Sequence, residues 1–273
     1  MNVYFCGMIK KGLLYGFVFL LMAFTPQQLD HEFSSDPPFK DGEWFEFRIH
    51  YGIFNASYAS LSLEQKTLEG HDVFHAKGYG RTTGLARWFF KVEDHYESYF
   101  DATNGLPYKF VRNIDEGGYT KNLEIRFDHQ TQLAHINDKK KKEQFEVAFK
   151  PNAQDLLSCF YYLRHFYPEN DIKVNESFSI NMFFDQENYV FQLKFLGKEI
   201  IDTKFGQVPC LKFRPMVQSG RVFKEQESVT LWVTDDQNKI PMRIQADILV
   251  GSIKADLENF KNLKYPFDIV VKD

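Results

Sequence analysis

Residues 42–51 read Gly-Glu-Trp-Phe-Glu-Phe-Arg-Ile-His-Tyr. In this stretch the apolar side chains of Phe45 and Phe47 alternate with the polar side chains of Glu46 and Arg48. Successive side chains of a β-strand point to opposite faces of its sheet, so a period of two predicts a strand with one buried and one solvent-facing side. The stretch decides the fold class because the same pattern returns along the rest of the chain.

The alternation recurs in segments that are separated by turn signals. Such segments span residues 122–127, 229–233, 242–248 and 253–258. Clusters of Gly, Asn and Asp mark turns at residues 104–105, 116–118, 137–138, 197, 206 and 235–238. Aromatic residues, which favour sheets, make up 17% of the chain. The sequence predicts an all-β, mainly antiparallel domain of about a dozen strands, with a large curved sheet, an open barrel and a sandwich as alternatives.

One segment near the middle of the chain has helical spacing instead. Within residues 151–168 the apolar side chains fall three or four positions apart, at Ala153, Leu156, Leu157, Phe160 and Leu163. We expect a helix over 153–166 that is capped by Asn152, because asparagine readily accepts a hydrogen bond from the first free amides. Leu157 and Phe160 should face the sheet. The helix either links two sheets or plugs one end of a curved sheet.

The N-terminus has the layout of a secretory signal peptide. Lys10 and Lys11 precede an apolar stretch over 13–24, which a polar segment follows. Spanning a membrane takes about 20 apolar residues, so this stretch is too short for a transmembrane helix. We expect a protein exported to the periplasm or the extracellular space. Its signal peptide, N-terminal extension and single β domain should span residues 1–25, 26–41 and 42–273.

Cysteine and methionine positions refine this expectation. Cys6 lies before the apolar stretch, so it cannot be the acylated cysteine that follows such a stretch in a lipoprotein. Met8 begins a typical signal-peptide layout and is an alternative start to Met1. After cleavage Cys159 and Cys210 remain, and an oxidising compartment permits them to pair, although the apolar neighbours of Cys159 favour a buried free thiol.

Composition and motifs argue against several classes of function. The formal net charge of −4 gives no basic surface for nucleic acid. The chain contains no Gly-x-Ser-x-Gly elbow, no phosphate-binding loop and no His-Glu-x-x-His zinc motif. We therefore predict no catalytic residue, no metal site and no cofactor.

The segment 81–90 reads Arg-Thr-Thr-Gly-Leu-Ala-Arg-Trp-Phe-Phe and breaks the alternation. In one interpretation its aromatic side chains fill the core, and in the other they form a mobile apolar flap at the mouth of a curved sheet. Arginine binds phosphate or carboxylate in a bidentate fork, so guanidinium groups beside such a mouth suit an amphipathic ligand with an anionic head. The candidate ligand-binding residues are Arg81, Arg87, Trp88, Phe89 and Phe90.

Several short motifs follow one another in a defined order. They are Gly42-Glu43, the hairpin from Tyr51-Gly52 to Leu63, Phe90-Lys-Val-Glu-Asp94, Asp155-Leu-Leu-Ser158, Tyr162-Leu-Arg164, Phe213-Arg-Pro215, Leu231-Trp-Val-Thr-Asp-Asp236 and Ile240-Pro-Met-Arg-Ile244. In this order and spacing the chain resembles the exported bacterial family of unknown function DUF3108. The resemblance implies a periplasmic or surface β protein with no established activity, in which a curved antiparallel sheet wraps around a helix, as in periplasmic lipoprotein carriers.

These observations favour a non-catalytic binding or carrier module, which we expect to be a monomer. Its concave, aromatic-rich face would hold an apolar or amphipathic ligand such as a lipid, a lipoprotein acyl chain or a glycan. The alternative is a structural or assembly protein of the cell envelope with a filled core. An exported hydrolase is a third hypothesis, which no motif supports.

Overall fold

The computed structural model describes residues 27–28, 36–84, 86–89, 91–166, 172–218 and 229–269. The predicted signal peptide, the alternative start and Phe90 lie outside these residues. The described part contains a 15-stranded sheet and two helices. Within it, no helix has the length and apolar character needed to cross a membrane.

The elements have the following bounds in chain order: β1 Gln27–Gln28, β2 Trp44–Tyr51, β3 Phe54–Leu68, β4 His71–Thr82, α1 Ala86–Phe89, β5 Val92–Asp101, β6 Pro107–Glu116, β7 Tyr119–Asp128, β8 Leu133–Asp138, β9 Glu143–Ala148, α2 Leu156–Phe166, β10 Ser177–Phe184, β11 Glu187–Thr203, β12 Gly206–Gln218, β13 Val229–Thr234, β14 Pro241–Asp247 and β15 Ser252–Lys261.

All strands belong to one sheet, in the order β10 to β15 followed by β2 to β9. The two runs join because the last strand, β15, pairs with β2. Neighbouring strands are antiparallel, apart from the short β1, which runs parallel to the edge of β10. Within each of the two runs consecutive strands are neighbours, as in a meander, whereas β9 and β10 lie at opposite edges of the sheet and are connected through α2. The prediction of an all-β, mainly antiparallel curved sheet with one helix near the middle of the chain is confirmed.

The edges of the sheet approach each other through the segment that follows β9. The backbone N–H of Gln154 donates to the carbonyl of Asn181 at 2.8 Å, and the amide of Phe183 donates to the carbonyl of Gln154 at 2.9 Å. The side chain of Asn188 donates to the carbonyl of Ala148 at 3.0 Å. These bonds give the sheet a barrel-like curvature without a continuous ladder between β9 and β10.

The helix α2 begins at Leu156, later than the sequence predicts. Its cap is Asp155, whose Oδ1 accepts hydrogen bonds from the amides of Leu157 and Ser158, both at 2.8 Å. Asn152, the predicted cap, has a φ of 55° and precedes the helix by a full turn. The predicted start is wrong because Gln154 pairs with β10 and keeps the chain extended up to Asp155.

The helix packs against the concave side of the sheet, which we call the inner face. Tyr161 is fully buried, and Leu157 and Phe160 pack against the core as predicted. A Cβ on Gly78 of β4 would lie 3.4 Å from Cδ2 of Leu157, so the helix rests directly on this strand. Contacts with β4, β5 and β10 show that α2 plugs the curved sheet and does not link two sheets.

Two further findings concern the core. Phe39, in the predicted N-terminal extension, is buried against Phe74 and Tyr161, with ring centroids 5.3 and 4.9 Å away. Cys159 and Cys210 are both buried free thiols in separate apolar clusters. Burial raises the pKa of each thiol to about 12, so both behave as small apolar groups.

A buried ion pair fastens the C-terminal end of α2. The Arg164 guanidinium donates from Nη1 and Nη2 to the Glu43 carboxylate at 2.5 and 2.9 Å. Its Nε donates to the carbonyl of Asn238 at 3.1 Å. Aromatic rings of Phe39, Phe45, Phe160 and Tyr161 surround the guanidinium, with centroids 5.4 to 5.6 Å from its carbon. The guanidinium of Arg164 thus connects α2 to Glu43, which precedes β2, and to the β13–β14 turn.

The helix cap should make stability depend on pH. Asp155 is fully buried, and burial raises its pKa from 3.8 to about 6, although Ser98 donates to its Oδ2 at 2.6 Å. The folded protein therefore holds this proton more tightly than the unfolded chain, and stability falls as the pH rises from about 4 to about 6. Above about pH 6 the free energy of unfolding is lower than at low pH by on the order of 3 kcal/mol, since one pKa unit corresponds to about 1.36 kcal/mol.

We expect Asp155→Asn to remove this dependence, because asparagine caps a helix as well as aspartate does. Relative to the parent, the free energy of unfolding of the variant should rise by about 3 kcal/mol between pH 4 and pH 7. Urea unfolding at a series of pH values measures this difference. A difference that stays constant over the range would contradict the assignment.

Candidate ligand site on the inner face of the sheet

An apolar row crosses the inner face from the core towards one end of the sheet. Phe195 and Phe213 are opposite each other on β11 and β12 and are buried with α2. From Phe213 the row continues across consecutive strands through Leu231, Ile244, Ala255, Ile49 and Ser57. Residues directly opposite each other in neighbouring strands share a face, so the whole row belongs to the inner face. Its far members are only half-buried, and Ile244 is 43% exposed.

A second row runs beside the first and contains small residues. Leu257 of β15 is buried, and it lies opposite Phe47, which lies opposite Ala59 and then Gly80. A Cβ on Gly80 would meet no heavy atom of the described residues within 4 Å, whereas Gly78 on the same face is in contact with α2. The described helix therefore covers the inner face up to Gly78 and leaves the space above Gly80 open.

We call this surface the open inner face; it comprises Phe47, Ile49, Ala59, Gly80, Ile244 and Ala255. It is concave because the sheet curves, and none of these side chains carries a polar group. Burying apolar surface contributes about 25 cal/mol per Å². Such a face can hold an apolar chain laid across the strands.

A polar wall borders the open inner face on β5 and β6. Asp94 lies opposite Gly80, and Arg112 lies opposite Tyr96. The Arg112 guanidinium donates to the carboxylate of Asp185 in the β10–β11 turn, and Nζ of Lys121 donates to the same carboxylate at 2.8 Å. The wall therefore carries two cations and two carboxyl groups within one small region.

Two buried atoms of this wall lack a hydrogen-bond partner among the described residues, Oδ1 of Asp94 and Nε of Arg112. Burial, and then the negative charge of Glu116, raises the pKa of Asp94 to about 6. The Arg112 guanidinium also lies 4.9 Å from the centroid of the Phe184 ring. An unsatisfied donor and acceptor beside an apolar surface are suited to the polar end of an amphipathic molecule.

The structure places Arg81 and Arg87, two of the predicted ligand-binding residues, away from the open inner face. Arg81 is exposed at the end of β4, opposite Glu93, and alternates with Gly80, so it faces outwards. Arg87 is exposed and lies 3.4 Å from the same Glu93 carboxylate. The two arginines are thus brought together around Glu93.

Two aromatic members of that prediction, Trp88 and Phe89, lie in α1. Trp88 is 87% exposed and does not fill the core. Phe89 is the last residue of α1, and Phe90 lies outside the described residues. Sequence reasoning missed Gly80, Ile244 and Ala255. Each of them is a small or apolar residue at an inward-facing position of an alternating strand. This pattern indicates a shared site only when the register between the strands is known.

Two open clefts lie elsewhere on the molecule. One of about 510 Å³ is lined chiefly by charged and amide side chains, including Lys91, Lys121, Lys139 and Lys140. The other, of about 580 Å³, lies on the outer face beside Tyr58, Tyr79 and Arg81. Within the described residues no group of His, Cys, Asp and Glu is arranged to hold a metal ion.

Comparison with solved structures identifies similar folds. A β-barrel-like protein of the domain of unknown function DUF1849 from Brucella abortus is 9% identical, with a TM-score of 0.50 over 84% of this chain and 100% of that one. A candidate lipoprotein from Parabacteroides distasonis is 12% identical, with a TM-score of 0.32 over 83% of this chain and 100% of that one. A candidate exported protein with a YmcC-like fold from Bacteroides fragilis is 7% identical, with a TM-score of 0.31 over 82% and 98%. At these identities the first likeness concerns the fold alone.

Comparison of the sequence with curated proteins finds no match. A family model described as "Protein of unknown function (DUF3108)" matches residues 46–258, which include every strand from β3 to β14. The match covers most of the chain and confirms the resemblance that the short motifs indicate. The chain belongs to the DUF3108 family of proteins of unknown function.

Proposed function

We propose that this protein is an exported, non-catalytic carrier of the cell envelope that binds the apolar part of a lipid or acyl chain on the open inner face. The observation that carries the proposal is the space above Gly80, which borders half-buried apolar side chains on the concave side of the sheet. A purely structural protein would fill this space with large side chains. The apolar stretch over 13–24 supports export.

The polar wall supports an amphipathic rather than a fully apolar ligand. Arg112 and Lys121 offer positive charge, and Nε of Arg112 is a buried donor without a described partner. A phosphate or carboxylate head group next to Arg112 would satisfy this donor while the acyl chain covers Ile49 and Ala255. Head-group contacts supply orientation, and apolar contacts supply most of the affinity.

Filling the space above Gly80 tests the proposal. Leucine at this position would occupy the site of the acyl chain, so Gly80→Leu should weaken the binding of a fluorescent fatty acid by about tenfold or more, the effect of losing about 1.4 kcal/mol. Fluorescence titration of the exported protein measures the dissociation constant. Native mass spectrometry of the same preparation shows whether a lipid co-purifies.

Tyr79→Leu is the matched control, because Tyr79 is adjacent on β4 but lines the outer cleft. It should bind the fatty acid as the parent does. Trp88→Ala separates this site from the flap predicted from the sequence, because Trp88 is exposed in α1 and is not part of the open inner face. It should bind the fatty acid as the parent does, and weaker binding at an unchanged unfolding midpoint would favour the flap. A parent protein that binds no fatty acid and carries no lipid would overturn the proposal and favour the structural alternative.

One observation favours a second candidate, an exported hydrolase. Burial, and then the negative charge of Glu116, raises the pKa of Asp94 to about 6, which fits a general acid near neutral pH. The carboxyl pair borders the open inner face, where a bound substrate would meet it. Hydrolysis of an ester or glycoside by the parent protein, lost in Asp94→Asn, would support this candidate over the carrier.

A further inference from the structure

The turns at one end of the sheet differ in character from those at the other end. In an antiparallel meander alternate turns lie at the same end, so the described connections β2–β3, β4–β5, β6–β7, β8–β9, β10–β11 and β14–β15 share one end, which we call the open end. The space above Gly80 lies towards this end, because β4 runs from His71 to Thr82 and α2 contacts it at Gly78.

Bulky apolar side chains project from three of these connections. Ile53 and Phe54 in the β2–β3 turn are 88% and 70% exposed, and Leu249 in the β14–β15 turn is fully exposed. Val250 and Trp88 are also exposed. Large apolar side chains grouped at one end of a monomer mark an interaction surface, whereas scattered ones do not.

The two apolar hairpin turns are held side by side. Ile253 of β15 pairs with Tyr51 of β2, and the Tyr51 hydroxyl donates to the carbonyl of Val250 at 2.8 Å. The Tyr51 ring also lies within about 3.3 Å of where a Cβ on Gly251 would be. The apolar patch is therefore built on a fixed scaffold, so little ordering is needed when it meets a partner.

Charge in the described connections at the open end is mostly positive. Arg87, Lys91 and the four consecutive lysines at 139–142 lie in these connections, against one acidic residue, Asp185, which Arg112 and Lys121 neutralise. At the opposite end, the connection 235–240 contains Asp235 and Asp236, and the β3–β4 turn contains Glu69. Apolar tips at an end whose connections carry more basic than acidic residues suit a surface that is apolar below a layer of negative charge.

We propose that the open end docks on the surface of a lipid bilayer that contains anionic lipids. Phe54, Leu249 and Trp88 would enter the head-group region, where aromatic and aliphatic side chains are stabilised. Lys139 to Lys142 would lie near the lipid phosphates, which attract basic residues within a Debye length. The proposal is independent of the ligand site, because it uses the turns and not the open inner face.

Vesicle sedimentation tests this docking. The exported protein should sediment with vesicles of equal parts phosphatidylglycerol and phosphatidylcholine, and less with phosphatidylcholine alone. Phe54→Ser combined with Leu249→Ser should lower the partition constant by about tenfold or more, because both side chains leave water on docking. Lys141→Glu combined with Lys142→Glu should lower binding to the anionic vesicles and reduce its salt dependence.

Ile200→Ser is the matched control, since Ile200 is equally an exposed apolar residue but lies in the β11–β12 hairpin near the opposite end. It should sediment as the parent does, and circular dichroism should show that all variants are folded. Absence of parent binding to anionic vesicles overturns the proposal. An equal loss of vesicle binding in Ile200→Ser also overturns it. So does a parent protein that binds no vesicles but self-associates, if Phe54→Ser combined with Leu249→Ser abolishes that self-association.

Discussion

Glu43→Gln should lower the free energy of unfolding by about 3–5 kcal/mol, the effect of breaking a buried ion pair by removing one partner. Glu43 is fully buried, and its two carboxylate oxygens accept from both terminal nitrogens of Arg164. Glutamine has the same shape but no charge, so the guanidinium would remain buried with only neutral acceptors, its amide oxygen and the carbonyls of Asn238 and Pro38, while the new amide NH2 would face one guanidinium N–H. Urea unfolding measures the loss.

An exposed ion pair provides the control. Glu64 binds Lys77 at 2.6 Å and Lys66 at 3.0 Å on the outer face, where its side chain is 41% exposed. Glu64→Gln should change the free energy of unfolding by less than about 1 kcal/mol, because water screens such pairs. If Glu43→Gln were no more destabilising than Glu64→Gln, the prediction would be wrong, and Arg164 would have another partner once its ion pair with Glu43 is removed.

A double substitution separates the charge from the packing. Glu43→Met with Arg164→Met removes both charges and keeps unbranched, apolar side chains among the surrounding aromatic rings. Replacing a buried ion pair by apolar groups is often neutral or stabilising. We therefore expect the double variant to be more stable than Glu43→Gln alone, and a further loss would show that Arg164 acts through its ring contacts.

The strands could be predicted from sequence because their signal is local. Alternation at Phe45 and Phe47 needs only the geometry of a single strand, and it assigned Phe45 to the buried side correctly. Beyond the bulge at Ile49–His50 the alternation fails, because His50 is buried and Tyr51 is exposed. The end of β14 was harder. Ile248 continues the alternating pattern, but the strand ends at Asp247, and Ile248 begins the exposed turn. An apolar residue in a strand and one on an exposed turn have the same appearance in sequence.

The start of α2 shows a different limit. Asn152 and Asp155 are both good helix caps, and helical propensity alone cannot choose between them. Two contacts distant in sequence decide it, the pairing of Gln154 with β10 and the hydrogen bond from Ser98 to Asp155. A contact across 57 positions of sequence leaves no periodic signal near the helix.

The candidate site could not be predicted from the sequence for a related reason. Gly80 and Ala255 are separated by most of the chain and meet on one face only because β15 pairs with β2. Register between strands so distant depends on the bulges at Ile49 and Leu257, which no local pattern announces. The aromatic residues of segment 81–90 are contiguous in the sequence, whereas the open inner face is assembled from residues of separate strands.

Phe39→Ala should be as destabilising as a change deep in the β domain, about 3–5 kcal/mol. Phe39 precedes the region matched by the family model and falls in the predicted N-terminal extension, yet its ring centroid lies 4.9 Å from Tyr161 and 6.5 Å from Phe100. It also covers one side of the Arg164 guanidinium at 5.4 Å. Phe54→Ala, at an exposed turn, is the control and should change stability by less than about 0.5 kcal/mol in urea unfolding. Equal effects of the two changes would show that residues 36–40 are dispensable, and the structured domain would then begin at Gly42.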